Sequence, residues 1–191
     1  TFDFAVFAGH KTLYGPTGIS GFIMKPDISL PSVLFGGTGY DSANQDMPDS
    51  LPEKYEMGTS NIAGIAGLNA ALQWNQKIGI QNIFEHEQKN RKKLLEILSQ
   101  YDFITIVGNA PAQQYVGIVS CLFDGISSDI AGSLLSEHGV SVRTGLQCAP
   151  LAHKFLGTYP AGTIRFSVGY FTSEEDYNDL TNALDYIDQN I

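Results

Sequence analysis

Charge is scarce in this chain, and positive charge is scarcer. Of 191 residues, 16% are charged, and 11 Lys and Arg stand against 20 Asp and Glu, a formal net charge of −9. That balance lacks the basic footprint of a nucleic-acid binder or of a protein held on an anionic membrane, so neither partner is expected. No apolar run nears the roughly 20 residues of a membrane helix. Cysteine is limited to Cys121 and Cys148, too few for a disulfide framework, and two free thiols in a cytoplasmic protein are expected. HExxH, CxxC and clustered ligands are missing, so no metal site is expected. The opening Thr1-Phe2-Asp3-Phe4 lacks the basic start and cleavage site of a signal peptide, and lacks methionine. It reads as a chain opened just before a core strand. A charged fraction this low also predicts that other protein covers part of the surface.

What is present is enough apolar material for a core, 43% hydrophobic and 11% aromatic. Residues 4–8 and 19–25 read as short buried strands, and 26–60 as a long loop region rich in Pro, Gly, Ser and Asp. Apolar residues at three- and four-residue spacing (Ile62, Ile65, Ala66, Leu68, Ala71, Leu72, Ile78) predict a helix that Ser60 or Asn61 caps and Gly79 ends. A second helix is expected from Gln81 to Gln100, with Ile83, Phe84, Leu94, Leu95, Ile97 and Leu98 inside. Its charged residues Glu85, Glu87, Lys89, Arg91, Lys92 and Lys93 read as a solvated face. Strands are expected at 103–107, 115–123, 140–143 and 163–168. A helix runs from Ser127 or Ser128 to His138 and ends at Gly139. A last helix opens at Ser173 with Glu174, Glu175 and Asp176 at its positive end. Strands interleaved with helices at this spacing imply an α/β sandwich. Residues 1–80 read as an incomplete domain, because two strands, a loop and one helix cannot cover both faces of a sheet. Residues 81–191 read as a smaller α/β domain complete in itself.

Four segments carry candidate chemistry. Gly9-His10-Lys11-Thr12 follows the first strand. A lysine desolvated at the mouth of two buried strands has a lowered pKa and suits Schiff-base chemistry; the competing reading is a solvated surface turn. Gly58-Thr59 precedes the first helix, where a hydroxyl at a helix N-terminus suits a phosphate, or simply caps the helix. Gly36-Gly37 is a second source of backbone N–H groups. Arg165, between Ile164 and Phe166, needs a buried anion, either a ligand carboxylate or a structural acid. Arg143 is a second candidate for that pocket. Cys148 lies in a loop near Arg143, which favours a thiolate. His153 tempts one toward a Cys–His pair, but no oxyanion motif accompanies it.

In this order, Lys11, Glu56-Met57-Gly58-Thr59-Ser60-Asn61, Val142-Arg143-Thr144-Gly145-Leu146-Gln147-Cys148-Ala149 and Thr163-Ile164-Arg165-Phe166-Ser167-Val168 resemble the C-terminal half of the class V aminotransferases. These are pyridoxal-phosphate (PLP) enzymes that include cysteine desulfurases. The resemblance implies the last part of a PLP-transferase large domain over 1–80, followed by a small α/β sandwich domain over 81–191. It implies PLP on Lys11, with His10, Thr59 and Gly37 near the cofactor and the Gly36–Thr59 region reaching a neighbouring subunit of a homodimer. It implies Arg165 and Arg143 on the carboxylate of an amino acid. Cys148 resembles the persulfide-forming cysteine of desulfurases, which implies L-cysteine as substrate, alanine as product and a sulfur-acceptor protein. Many relatives carry His before that cysteine, where this chain has Gln147. Two alternatives stay open: a transaminase or lyase acting on another amino acid, and a non-catalytic piece unable to hold PLP alone.

Overall fold

Two runs of apolar residues, Phe4–Ala8 (β1) and Ser20–Met24 (β2), pair antiparallel, with Val6 opposite Phe22. They open a computed structural model that describes residues 2–110 and 115–191. Thr1, where the reading of the chain start begins, lies outside the described residues. The chain divides into two units, residues 1–80 and 81–191.

In the first unit the hairpin is not buried as expected. Phe4, Val6, Phe22 and Ile23 are exposed, because no layer among the described residues of this unit covers them. After β2 the chain runs irregularly to a 3₁₀ turn at Glu53–Tyr55, where the Tyr55 hydroxyl donates to Leu30 O and accepts from Leu30 N. The helix Ile62–Ile78 (α1) starts at Asn61, whose side chain accepts from Gly64 N at 3.0 Å, and ends at Gly79 with φ 89°. Its expected inner residues Ile62, Ile65 and Leu72 are exposed; Leu68 is buried.

The second unit holds the core. Helix α2 (Ile80–Leu98) is followed by β3 (Ile104–Val107), β4 (Ile118–Phe123), α3 (Ser128–Glu137), β5 (Arg143–Gly145), α4 (Pro150–Phe155), β6 (Thr163–Ser167) and α5 (Glu174–Asp188). The four strands form one antiparallel sheet in the order β3-β4-β6-β5. Alternation sends Val119, Cys121, Phe123, Ile164 and Phe166 to one face, where Leu94 and Leu98 of α2, Leu135 of α3 and Leu180, Leu184 and Ile187 of α5 complete a continuous core. Among the described residues no helix is long and apolar enough to cross a membrane.

Helix termini follow local chemistry. Ser173 and Asp176 form a capping box at α5. After α3, Gly139 takes φ 82° and Val140 N donates to Leu135 O at 2.9 Å, closing the helix. The expected strand at 140–143 lies instead at Arg143–Gly145, and β4 begins at Ile118 rather than 115. The helix α4 was not foreseen: six residues are too few for a periodic signal. Nor is the charged side of α2 all solvated. Phe84 is exposed, whereas Arg91 is buried, donating to Asn109 Oδ1 at 2.9 Å and stacking 4.4 Å over the Tyr115 ring. Glu87 accepts from Gly117 N at 2.6 Å, and Asn90 donates to Gly169 O at 2.8 Å. These side chains tether α2 to the loops around the sheet.

Candidate functional site

Each unit contributes its own set of residues. In the first, the lysine turn is built on close backbone packing. Gly9 N donates to Ile19 O at 2.9 Å and Gly15 N to Gly9 O at 2.8 Å. A Cβ on Gly15 would meet Leu68 Cδ1 at 2.9 Å, so glycine lets α1 sit against the turn. Farther along α1, Asn75 is buried and its Nδ2 donates to Leu13 O at 2.8 Å, while Trp74 meets Tyr14 edge to face at 5.4 Å. The backbone under Lys11 is therefore fixed, yet Lys11 and His10 are both exposed. The expected desolvation of the lysine amine is absent, because the strands beside it face solvent. Lys11 Nζ has no ion-pair partner among the described residues.

Thr59 does not open a helix. The cap is Asn61, two residues later, and Thr59 is exposed. Gly58 N donates to Gly37 O at 2.7 Å, so that N–H is committed within the chain and cannot also meet a phosphate. The same bond brings Gly37 beside Gly58 and Thr59. A Cβ on Gly37 or Gly58 would meet nothing within 4 Å. The two segments thus form one open, backbone-lined ledge. No sequence signal pointed to this pairing, which joins residues about twenty apart.

In the second unit, strand register gathers the arginines. Val107 pairs with Ser120, Ser120 with Arg165 and Arg165 with Arg143, giving one row across the sheet. Ile164 and Phe166 face the core, so this row lies on the opposite face. Directly opposed residues of neighbouring strands have Cβ atoms about 5 Å apart, and like charges so placed repel. Among the described residues neither guanidinium has an acidic partner, and Arg165 Nε is buried without a hydrogen bond. The structural salt bridge that competed for Arg165 is absent. Two unpaired arginines side by side, one with an orphaned donor, are chemically suited to a bidentate anion.

Cys148 lies just beyond β5. Ala149 N donates to Leu146 O at 2.8 Å, closing a four-residue turn whose central residues Gln147 and Cys148 have φ of 46° and 64°. Positive φ at both centres is the signature of a type I′ turn, which glycine and asparagine favour. Cys148 is exposed and free; Cys121 is free but fully buried, and burial pushes its thiol up to about 12. On the sheet's open face a cavity of about 390 Å³ is walled by Val107, Ser120 and Thr163 of the strands and Ala152, His153 and Leu156 around α4. Its rim includes Gln147 and Ala149, on either side of Cys148. His153 is buried, with Nδ1 2.7 Å from Thr158 Oγ1. Among the described residues no group of three His, Cys, Asp or Glu could hold a metal ion.

Sequence reasoning missed the burial of Arg91, although the signal was there. Arg91 shares one helical face with the buried Leu94 and Leu98, and the charge of arginine masked that spacing.

The profile of the family described as aminotransferase class-V matches residues 1–180. The cysteine desulfurase of Haloferax volcanii is 33% identical over 187 residues, which take in 96% of this chain and 43% of that protein. Among solved structures, the apo cysteine desulfurase of Thermococcus onnurineus superposes with a TM-score of 0.85 at 28% identity, covering 99% of this chain and 48% of that one. A cysteine desulfurase of Escherichia coli gives 0.82 at 30% identity, over 96% and 45%. The chain therefore spans about half the length of the relatives it matches.

Proposed function

Because the chain belongs to the aminotransferase class-V family, we propose that it is the part of a PLP-dependent cysteine desulfurase that carries the Schiff-base lysine, the substrate arginines and the sulfur-accepting cysteine. The observation that carries the reading is the row Ser120–Arg165–Arg143, which sets two arginines opposite each other on neighbouring strands, with a buried Arg165 Nε that has no hydrogen-bond partner among the described residues. An α-amino acid supplies the planar carboxylate that such a pair lacks.

Residues 1–80 are then the last part of the PLP-binding large domain and residues 81–191 the small C-terminal domain. The residues present suit the cofactor. Lys11 offers a primary amine without an ion-pair partner among the described residues, on a turn held by backbone hydrogen bonds, with His10 adjacent. Thr59 offers a hydroxyl on the ledge at Gly37. When bound, PLP supplies the electron sink for chemistry at the substrate Cα. The Lys11 amine would take the proton from the substrate Cα and return it there as the product forms, while Arg143 and Arg165 would hold the carboxylate. The Cys148 thiolate attacks the substrate sulfur; the C–S bond breaks, its electron pair goes to the substrate Cβ, and a proton completes the methyl group. The balance is L-cysteine plus the Cys148 thiol to L-alanine plus the Cys148 persulfide. A homodimer, a cytoplasmic location and an acceptor protein that takes sulfur from Cys148 belong to this reading. The support for the acceptor is exposure: Cys148 is open to solvent while Cys121 is not.

The test uses the full-length protein that contains this chain. Cys148→Ser abolishes sulfide and persulfide output from L-cysteine while leaving the bound-cofactor absorbance. Arg165→Ala raises KM for cysteine about 10- to 100-fold, the loss expected for a charged hydrogen-bonded pair. Full sulfur transfer by Cys148→Ser, or turnover of other amino acids in preference to cysteine, overturns the reading in favour of a transaminase or lyase.

A further inference from the structure

Gln147 directly precedes Cys148, and its side chain is fully engaged. Nε2 donates to Thr163 O at 2.9 Å and to Arg143 O at 3.2 Å, while Oε1 accepts from Thr163 Oγ1 at 3.3 Å. One amide thus joins the start of β5 to the start of β6, strands paired at Gly145 and Thr163. Thr163 is 1% exposed, so the anchor is rigid. Behind it, a Cβ on Gly162 would fall 2.2 Å from the Gly145 carbonyl, so these two backbones pack in contact under the turn.

The turn itself is strained. Left-handed φ costs a non-glycine residue about 1–2 kcal/mol, and two in succession occur here at Gln147 and Cys148. A turn of this kind with ordinary residues opens unless something holds it. Within the turn Ala149 N donates to Leu146 O; the three bonds of the Gln147 amide are the side-chain contacts that fasten it to β5 and β6.

We propose that Gln147 is a positioning residue for Cys148. Resting on the desulfurase reading above, it locks the left-handed turn that presents the thiol, and it supplies no proton of its own. Only a side chain with two donors and one acceptor makes all three bonds. A carboxylate of the same shape keeps the acceptor, loses both donors and faces two carbonyl oxygens. Gln147→Glu therefore separates hydrogen bonding from packing, and Gln147→Ala removes both.

The experiment has two readouts. The first needs no turnover: amide hydrogen exchange of residues 146–149 and the rate of Cys148 alkylation by iodoacetamide, measured on the full-length protein. Both variants speed exchange at Ala149, whose amide closes the turn, about 10-fold or more and change the alkylation rate, while exchange in β4 and β6 stays as in the parent. The second is steady-state desulfuration by the full-length protein. Both variants lower kcat with KM for cysteine unchanged, because the arginines still hold the carboxylate. The pH profile keeps the parent's shape, since an amide does not titrate. Unchanged exchange in Gln147→Ala overturns the positioning role. So does a KM effect without a kcat effect. If the parent protein transfers no sulfur but the variants loosen the turn, the positioning stands and the desulfurase reading falls.

Discussion

The two units handle the same kind of sequence in opposite ways. In residues 81–191, apolar alternation in β4 and β6 finds helices to face, and Cys121, Ile164, Leu98, Leu135, Leu184 and Ile187 are all fully buried. In residues 1–80, equally apolar strands face solvent, and Leu68 is the buried apolar side chain among the described residues. The contrast shows that pattern sets the secondary structure, while burial depends on whether a second layer is within the chain. It also separates two roles. The arginines and Cys148 stand on a sheet with its own core, whereas Lys11 stands on a turn clamped by glycines and α1 beside an open hairpin.

Hydrogen exchange should reveal this contrast as its largest effect. Amides of Val119–Cys121 and Ile164–Phe166 are expected to exchange only on global unfolding, and those of Val6 and Phe22 at least about 1,000-fold faster, through local opening. Equal protection in the two sheets would erase the comparison. Truncation gives the next effect. Ile164→Ala is expected to cost about 2–5 kcal/mol by urea unfolding, as for other fully buried aliphatics. Val6→Ala, at a position 73% exposed, stays within about 0.5 kcal/mol. A large loss at Val6 would mean that the hairpin face is covered in solution.

Much of the second unit was legible because its elements are long and its caps local. The periodicity of Leu94, Leu95 and Leu98, the Ser173–Asp176 box and the glycine after α3 are decided within a few residues of themselves. Arg165 was legible because an arginine between apolar strand neighbours has no cheap place to go. Its pairing with Arg143 was not, since register depends on which strands meet, and the expected strand at 140–143 put Arg143 at a strand's end rather than its start. In the first unit the lysine turn was legible as a motif, and of its two readings the solvated turn is the one observed, because no layer among the described residues covers β1 and β2. The commitment of Gly58 N to Gly37 lay beyond any local rule.

Alkaline pH acts on the second unit by a known sign. Burial first, then Glu174 and Asp176, raise Tyr177 to about 12. Burial alone raises Cys121 from 9.0 to about 12. Burial first, then the hydrogen bond to Asp185, raises Tyr101 further still. In each case the protonated form is favoured in the folded state. The stabilisation is whole below the unfolded pKa values, near 9 for Cys121 and 10 for the tyrosines, and is lost as pH rises toward the folded ones. The expected loss from Cys121 alone is about 2–3 kcal/mol by pH 11, from about 1.4 kcal/mol per pKa unit. Urea midpoints from pH 8 to 11 check this, and Cys121→Ala should flatten the slope. A flat profile in the parent would show that Cys121 ionises as freely in the fold as out of it.

The smallest effect sharpens the comparison most, because it applies one chemistry to both units. Asn61 caps α1 and also donates to Gly18 O at 3.1 Å; Ser173 caps α5. Removing a cap costs about 1 kcal/mol in either place. If the second unit alone sets the cooperative transition, Ser173→Ala lowers the global midpoint by that amount. Asn61→Ala leaves the midpoint where it was and appears instead as faster exchange at Gly64 and Ile65, the first amides the cap and first turn protect. Should Asn61→Ala move the midpoint as far as Ser173→Ala, the two units unfold as one, and the open hairpin of the first draws its stability from a source that its exposed faces do not reveal.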